Sequence, residues 1–171
     1  MLEVYNHYKN QIDKSKILRK LSLKKNNYFL VSLHREENVD DKKILLKYIE
    51  AILFLSKKYK KKIIFSTHFR TKKNLKKFEL DKSKKIYFAK PFGFLDYMKL
   101  QQNSFLTLSD SGTLSEESSI LGINSLHLRH CTERPEGLEN GAIILSSFDK
   151  EKLITSINLN KLTNKKIINH Q

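Results

Sequence analysis

Cysteine is nearly missing from this chain. Cys131 stands alone among 171 residues, which excludes an internal disulfide framework and a zinc-binding cysteine cluster. No histidine pairing for it follows from spacing, so it reads as incidental. Two prolines and five glycines, with no long polar tract, leave little material for a flexible linker, and one compact domain is expected. No run approaches the roughly 18 to 20 consecutive apolar residues that a membrane span requires. The opening MLEVYNHYKN has no apolar core of the kind a secretory signal needs, so a cytoplasmic protein is expected. Neither GxxxxGK(S/T) nor GxGxxG occurs, and readings as a nucleoside triphosphatase or a dinucleotide-dependent enzyme lack their fingerprints. No metal or cofactor is expected.

Lysine, by contrast, is abundant. With 33 basic and 18 acidic residues the formal charge is +15 and the pI about 9.8, a balance that invites a nucleic-acid partner. The distribution argues against one. Lysines crowd into 57–62, 72–77 and 82–85, at the ends of apolar-periodic segments where solvated turns and helix faces belong. Aromatic residues are not interleaved with them, as a platform for stacked bases would require. Arginine is more informative, for there are five and four of them adjoin other reactive side chains: Arg35 beside His34, Arg70 near His68, Arg129 beside His130, and Arg134 beside Glu133. A planar guanidinium fork suits phosphate or carboxylate, so an anion site is expected.

Short apolar runs at 28–33, 63–66, 86–89, 105–109, 125–128 and 142–145 suit buried strands. Between them, 42–59, about 71–78, 94–103 and 113–121 read as helices; in the first, Ile44, Leu45, Tyr48, Ile52 and Leu55 recur at helical spacing. Strands alternating with helices require right-handed crossovers, hence a Rossmann-like α/β domain with a mostly parallel sheet of about six strands between helical layers. Ligands of such sheets lie beyond the carboxyl ends of the strands. Five unusual clusters fall there: His34 to Asn38, Thr67 to Arg70, Pro91 to Gly93, Ser109 to Gly112, and Arg129 to Gly137.

In SDSGTLSEES a strand ends, a Ser-Gly turn allows tight backbone geometry, and a helix begins near Thr113. The amides of that helix start, with the Ser111 and Thr113 hydroxyls, suit a phosphate, while Glu117 lies about one turn further on, placed to accept from paired sugar hydroxyls. The same residues equally suit a plain helix cap followed by an acidic first turn. In CTERPEG, Glu133, Arg134 and Glu136 flank Pro135, either as a surface turn or with Arg134 as a second grip on a diphosphate. His34, followed at once by Arg35, Glu36 and Glu37, suits a proton donor or phosphate ligand. His68 suits loop packing and ligand contact equally.

HREEN (34–38), STHFR (66–70), KPFGFLDYMKLQ (90–101), SDSGTLSEESSILG (109–122) and TERPEG (132–137) resemble, in order and spacing, the second half of the non-hydrolysing UDP-N-acetylglucosamine 2-epimerases. The resemblance extends over most of residues 1–145. It implies one half of a GT-B-like enzyme that eliminates UDP from a UDP-N-acetyl-hexosamine, removes the proton at C2 and re-adds it on the opposite face. By this resemblance Ser111, Gly112 and Thr113 hold the diphosphate and Glu117 the ribose. Arg134 stands at the phosphate-region arginine, the backbone near Tyr97 meets the uracil, and His34 faces sugar and diphosphate. Arg35, Glu37, His68 and Glu133 complete the expected binding set.

Two departures stand out. Gly112-Thr113-Leu114-Ser115 replaces the usual Gly-Gly-Ile-Gln, which resembles the subgroup forming UDP-N-acetyl-L-fucosamine for surface polysaccharides. Phe69 replaces the proline of the His-Pro loop. The resemblance further implies that the carboxylates acting at C2 belong to a first domain preceding residue 1, with 1–158 as the UDP-binding domain and 159–171 as a helical or disordered tail. The chain alone is then expected to bind a uridine nucleotide weakly without epimerising it. Its expected partners are UDP or a UDP-N-acetyl-hexosamine and a separately encoded amino-terminal half or further copies of itself, with no nucleic acid. A non-catalytic UDP-sugar module or gene remnant and, less well supported, a basic nucleic-acid binder are the alternatives.

Overall fold

A computed structural model describes residues 1–128, 138–139, 142–145 and 150–158. After helices α1 (Leu2–Lys14) and α2 (Ile17–Lys20), strand β1 (Tyr28–Ser32) opens an alternation. It continues through α3 (Glu36–Val39), α4 (Lys42–Tyr59), β2 (Lys62–Ser66), α5 (Phe69–Lys77), β3 (Ile86–Ala89), α6 (Phe94–Asn103), β4 (Leu106–Ser109), α7 (Leu114–Leu121) and β5 (Ser125–Leu128). Strands β6 (Leu138–Glu139) and β7 (Ala142–Leu145) and a helix over 150–158 follow. The sheet order is β3-β2-β1-β4-β5-β7-β6, parallel except for the two-residue β6. Among the described residues no helix is long and apolar enough to cross a membrane.

Period-two alternation divides β1 between two cores. Phe29 and Val31 join Leu45, Tyr48, Ile52 and Leu55 of α4 on one face, where Leu153 and Ile157 of the last helix also pack. Tyr28 and Leu30 meet Ile17 of α2 and Leu100 of α6 on the other, and the Tyr28 hydroxyl donates to the Leu100 carbonyl at 2.6 Å. Each helix therefore needs one apolar stripe, which is the pattern the α4 sequence carries. Local chemistry sets the ends: Asp41 caps α4 by accepting from the amides of Lys43 and Ile44, and Gly122 ends α7 at φ 60, a left-handed conformation that glycine adopts at least cost.

The order fixes where a ligand fits. Strands β1, β2 and β3 run outward to one edge, and the chain then returns to place β4 on the other flank of β1. That reversal opens a crevice at the carboxyl ends of β1 and β4.

Candidate functional site

Both strands at the reversal end in polar loops, and one buried carboxylate joins them. Asp110, fully buried just past β4, accepts the His34 amide at 3.1 and 3.0 Å on its two oxygens, the Arg35 amide at 2.9 Å and the Asn38 side-chain amide at 3.0 Å. Asn38 is fixed in turn by the Tyr48 hydroxyl, which donates to its Oδ1 at 2.9 Å. His34 Nδ1 lies 2.8 Å from Asp110 Oδ1. A carboxylate only accepts, so Nδ1 is the donor in this contact. Two turns that are 76 residues apart in the chain become one rigid rim.

Arg35 binds the same residue through its side chain, Nε donating to the Asp110 carbonyl at 2.7 Å, while Nη1 reaches Glu37 at 3.4 Å. Its guanidinium lies against the Ser-Gly turn: a Cβ built on Gly112 would find Arg35 Nη2 as its nearest atom, at 3.8 Å. That spacing is an ordinary contact, and the only left-handed glycine among the described residues is Gly122. The turn therefore does not need glycine at 112 for its geometry, contrary to the expectation from sequence. The Ser111 and Thr113 hydroxyls pair at 2.9 Å on the exposed side of the turn, and helix α7 starts one residue later than expected, with Thr113 as its cap.

Glu117 is buried and held from both sides: Thr113 Oγ1 donates to Oε1 and Gln101 Nε2 to Oε2, each at 2.7 Å. Gln101 itself is fully buried, and its Oε1 has no partner among the described residues. The Tyr97 phenol points inward to the hydroxyls of Ser32 and Ser109; burial first, and the Glu117 charge second, hold its pKa well above the ordinary tyrosine value. With the hydroxyl turned inward, a hydrogen bond from this residue to a base would come from its main chain.

On the other flank, α3 and the start of α5 enclose an open cleft of about 810 Å³ lined by His34, Arg35, Glu37, His68, Phe69 and Arg70 among others. Arg70 forks onto Asp40 through Nε at 2.9 Å and Nη2 at 2.7 Å and also pairs with Glu36. Its hydrogen bonds hold the Asp40 carboxyl below the usual carboxylate range. Arg70 is thus spent within the protein. His68 caps α5, its Nδ1 accepting from the Arg70 amide at 3.4 Å, with its ring 6.1 Å from that of His34. Phe69, 78% exposed, is the first helical residue, a position at which proline is favoured. The replacement leaves the helix start intact and puts an aromatic ring in the cleft mouth.

The structure therefore gathers His34, Arg35, Gly112, Ser111, Thr113, Glu117 and Tyr97 at one crevice, with Glu37 and His68 on the adjoining cleft. Glu133, Arg134 and Cys131 lie outside the described residues. Asp110, Asn38 and Gln101 were missed as site residues. The signal for Asp110 was its place between strand end and turn; for Gln101, a polar residue on the apolar side of α6. Hydroxyls, an exposed guanidinium and an anchored carboxylate beside a histidine suit an anionic, hydroxyl-bearing ligand.

Comparison with known proteins gives one answer. The family profile described as UDP-N-acetylglucosamine 2-epimerase matches residues 1–169. Over 144 residues, 82% of the chain, it is 48% identical to the UDP-N-acetylglucosamine 2-epimerase of Methanocaldococcus jannaschii, covering 39% of that protein. A relative of the same description from Methanococcus maripaludis is 41% identical over 78% of the chain and 38% of its own length. Among solved structures, the M. jannaschii enzyme in complex with UDP-GlcNAc and UDP superposes with a TM-score of 0.76 at 36% identity, covering 92% of this chain and 45% of that one. The Rickettsia bellii enzyme gives 0.69 at 38% identity, covering 98% and 50%. The chain thus spans about 40% of the length of the curated relatives it matches.

Proposed function

The chain belongs to the UDP-N-acetylglucosamine 2-epimerase family, and from that premise and the crevice geometry we propose that it is the UDP-sugar-binding half of a 2-epimerase. The carrying observation is the Asp110 junction, which sets His34 and Arg35 against the Ser111–Thr113 turn at the β1/β4 reversal. Ser111, Gly112 and Thr113 hold the diphosphate, and Arg35 and Arg134 neutralise it. Glu117, oriented by Thr113 and Gln101, accepts from the ribose hydroxyls, and the main chain at Tyr97 meets the uracil. Glu37, His68 and Glu133 border the sugar side. The solved M. jannaschii complex with UDP-GlcNAc and UDP supports a UDP-sugar as the ligand class.

The reaction assigned to the whole enzyme inverts C2 of a UDP-N-acetyl-hexosamine by breaking the C1–O bond to UDP with loss of the C2 proton. UDP is then re-added to the unsaturated sugar with protonation from the other face, supplying precursors of surface polysaccharide. This half contributes the grip on the departing diphosphate, an electrostatic contribution that grows as charge develops on the leaving oxygen. The groups exchanging the C2 proton come from an amino-terminal half in the cytoplasm, encoded separately or as part of a longer chain. Residues 1–158 form the binding domain and 159–171 a tail. The Thr113–Ser115 variant of the turn supports a 6-deoxy sugar as substrate, and competition between UDP-N-acetylglucosamine and its 6-deoxy counterparts tests that choice.

Calorimetric titration with UDP tests the assignment. The native chain is expected to bind UDP weakly, and Glu117→Ala combined with Arg134→Ala to lose at least tenfold in affinity; equal affinity in both would remove the assignment. Mixing in an amino-terminal half then separates an enzyme half, which gains turnover, from a non-catalytic UDP-sugar module, which binds without it.

A further inference from the structure

Much of the lysine lies at the opposite end of the sheet from this crevice. Three segments enter β1, β2 and β3 there, side by side because those strands are adjacent and parallel. Residues 19–25 carry four cations, 57–62 five and 79–85 three, against the two acids Glu79 and Asp81. Helices α2, α4 and α5 end at this edge, and their carbonyl termini favour nearby cations. Three helix ends amount to only about 1.5 negative charges, however, far fewer than the excess of cations. Most of this charge is left for something outside the domain.

The segments also enclose a cleft of about 480 Å³, rimmed by Lys20, Lys62, Lys84 and Lys85, with Leu23 and Ile64 in its floor and the Tyr87 ring at its side. None of the four lysines has a carboxylate partner among the described residues; the Lys62 ammonium donates to the Ser22 carbonyl, at 3.2 Å. The chemistry is a ring of ammonium groups over an apolar floor. We propose that this edge docks the protein on an anionic lipid surface, a headgroup phosphate seating among Lys62, Lys84 and Lys85 while the nucleotide crevice faces away. Lysine point charges suit attraction to a diffuse anionic layer. A nucleic acid would favour arginine forks and several stacking rings; the segments contain one arginine, Arg19, and the cleft one exposed aromatic, Tyr87. The proposal does not depend on the nucleotide reading.

Co-sedimentation of the whole chain with vesicles tests it. Binding is expected to vesicles of mixed phosphatidylglycerol and phosphatidylcholine, to be absent with phosphatidylcholine alone, and to weaken steeply with salt. Lys62→Glu, Lys84→Glu and Lys85→Glu together should lower partitioning by about 100-fold or more. Lys42→Glu, Lys43→Glu and Lys47→Glu, which reverse the same number of charges at the exposed start of α4, should retain most of it. Lys20→Glu with Lys84→Glu and Lys85→Glu spares β2 and should repeat the loss with native circular dichroism. A loss as large on reversing Lys42, Lys43 and Lys47 as on reversing Lys62, Lys84 and Lys85, or no binding to the anionic vesicles, would overturn the proposal. So would displacement by millimolar inorganic phosphate, which identifies a free-phosphate site, or tighter binding to single-stranded DNA at the same salt.

Discussion

Asp110→Asn exchanges one oxygen for an amide and removes one charge from a side chain with no exposed surface. Its effects follow atom by atom. Oδ2 takes the amides of His34 and Arg35 and the side chain of Asn38, so asparagine must keep its oxygen at that place. Its NH2 then stands where Oδ1 was, facing His34 Nδ1 at 2.8 Å. Two N–H groups cannot share that contact, and the imidazole must move its hydrogen to Nε2. Bonds to a charged acceptor contribute about 1.5–3 kcal/mol each against about 1 for neutral ones, so three retained bonds lose roughly 1.5–6 kcal/mol together. In a domain of this length that corresponds to a fall in melting temperature of roughly 3–24 °C.

Urea denaturation measures the stability loss, and nitrogen-15 spectra of the histidines report the tautomer directly. The native chain should show His34 hydrogenated on Nδ1, the variant on Nε2, and UDP affinity should fall because His34 and Arg35 no longer present the same groups. Asp110→Ala, leaving several buried donors without an acceptor, should cost more than the asparagine. Native stability together with an unchanged His34 tautomer in Asp110→Asn would refute the junction as the element that orients the site.

Further consequences are open to simple measurement. Because a Cβ at Gly112 meets nothing closer than 3.8 Å, Gly112→Ala should leave stability within about 0.5 kcal/mol yet weaken UDP binding, if the diphosphate rests against that turn; unchanged affinity would move the phosphate elsewhere. The phenols of Tyr28, Tyr48 and Tyr97 are raised above their ordinary 10.0, chiefly by burial. Groups raised on folding stabilise fully below their unfolded value and cease to do so as pH rises beyond it. Stability should therefore hold to about pH 9 and decline from about pH 10 upward, with these three phenols ionising only as the chain unfolds; a flat stability curve through this range would contradict the burial of these rings.

Most of the architecture was legible because parallel strands buried on both faces read as short apolar runs. Residues 28–33, 63–66, 86–89, 125–128 and 142–145 became β1, β2, β3, β5 and β7 with at most a one-residue shift at either end. Helices α4 and α6 were found at their observed limits, since their apolar stripes have polar flanks. The failures were short or strongly charged. Helix α5 begins two residues before the expected start, because its cap is a histidine rather than a usual capping residue. The four-residue α2 and α3 lack a full apolar period, β6 has two residues, and the helix over 150–158 lies in a lysine-bearing stretch with few apolar positions. At the crevice, the turn and the histidine loop were each visible as clusters. Their junction was not, because a hydrogen bond across 76 residues leaves no periodicity. Asp110 therefore stood out only as a member of the strand-end cluster 109–112, although the structure makes it the residue on which both loops converge.

The same geometry bears on how tightly the chain can hold a nucleotide. Small-molecule sites typically enclose about 70–90% of their ligand, whereas among the described residues this crevice is open: Gly112 and Thr113 are exposed, the His34 side chain is 41% open, and Phe69 is 78% exposed at the cleft mouth. The polar groups on that wall are already fixed, Glu117 by two donors and His34 by Asp110, so little ordering remains to oppose binding. What the described residues supply is organisation more than coverage. A facing wall should therefore raise affinity mainly by excluding water from contacts already in place, with His34 and Glu117 keeping their present partners. If instead a covering wall rearranged those partners, the tautomer of His34 would change on adding the amino-terminal half proposed above, and the Asp110 junction would not be the element that orients the site.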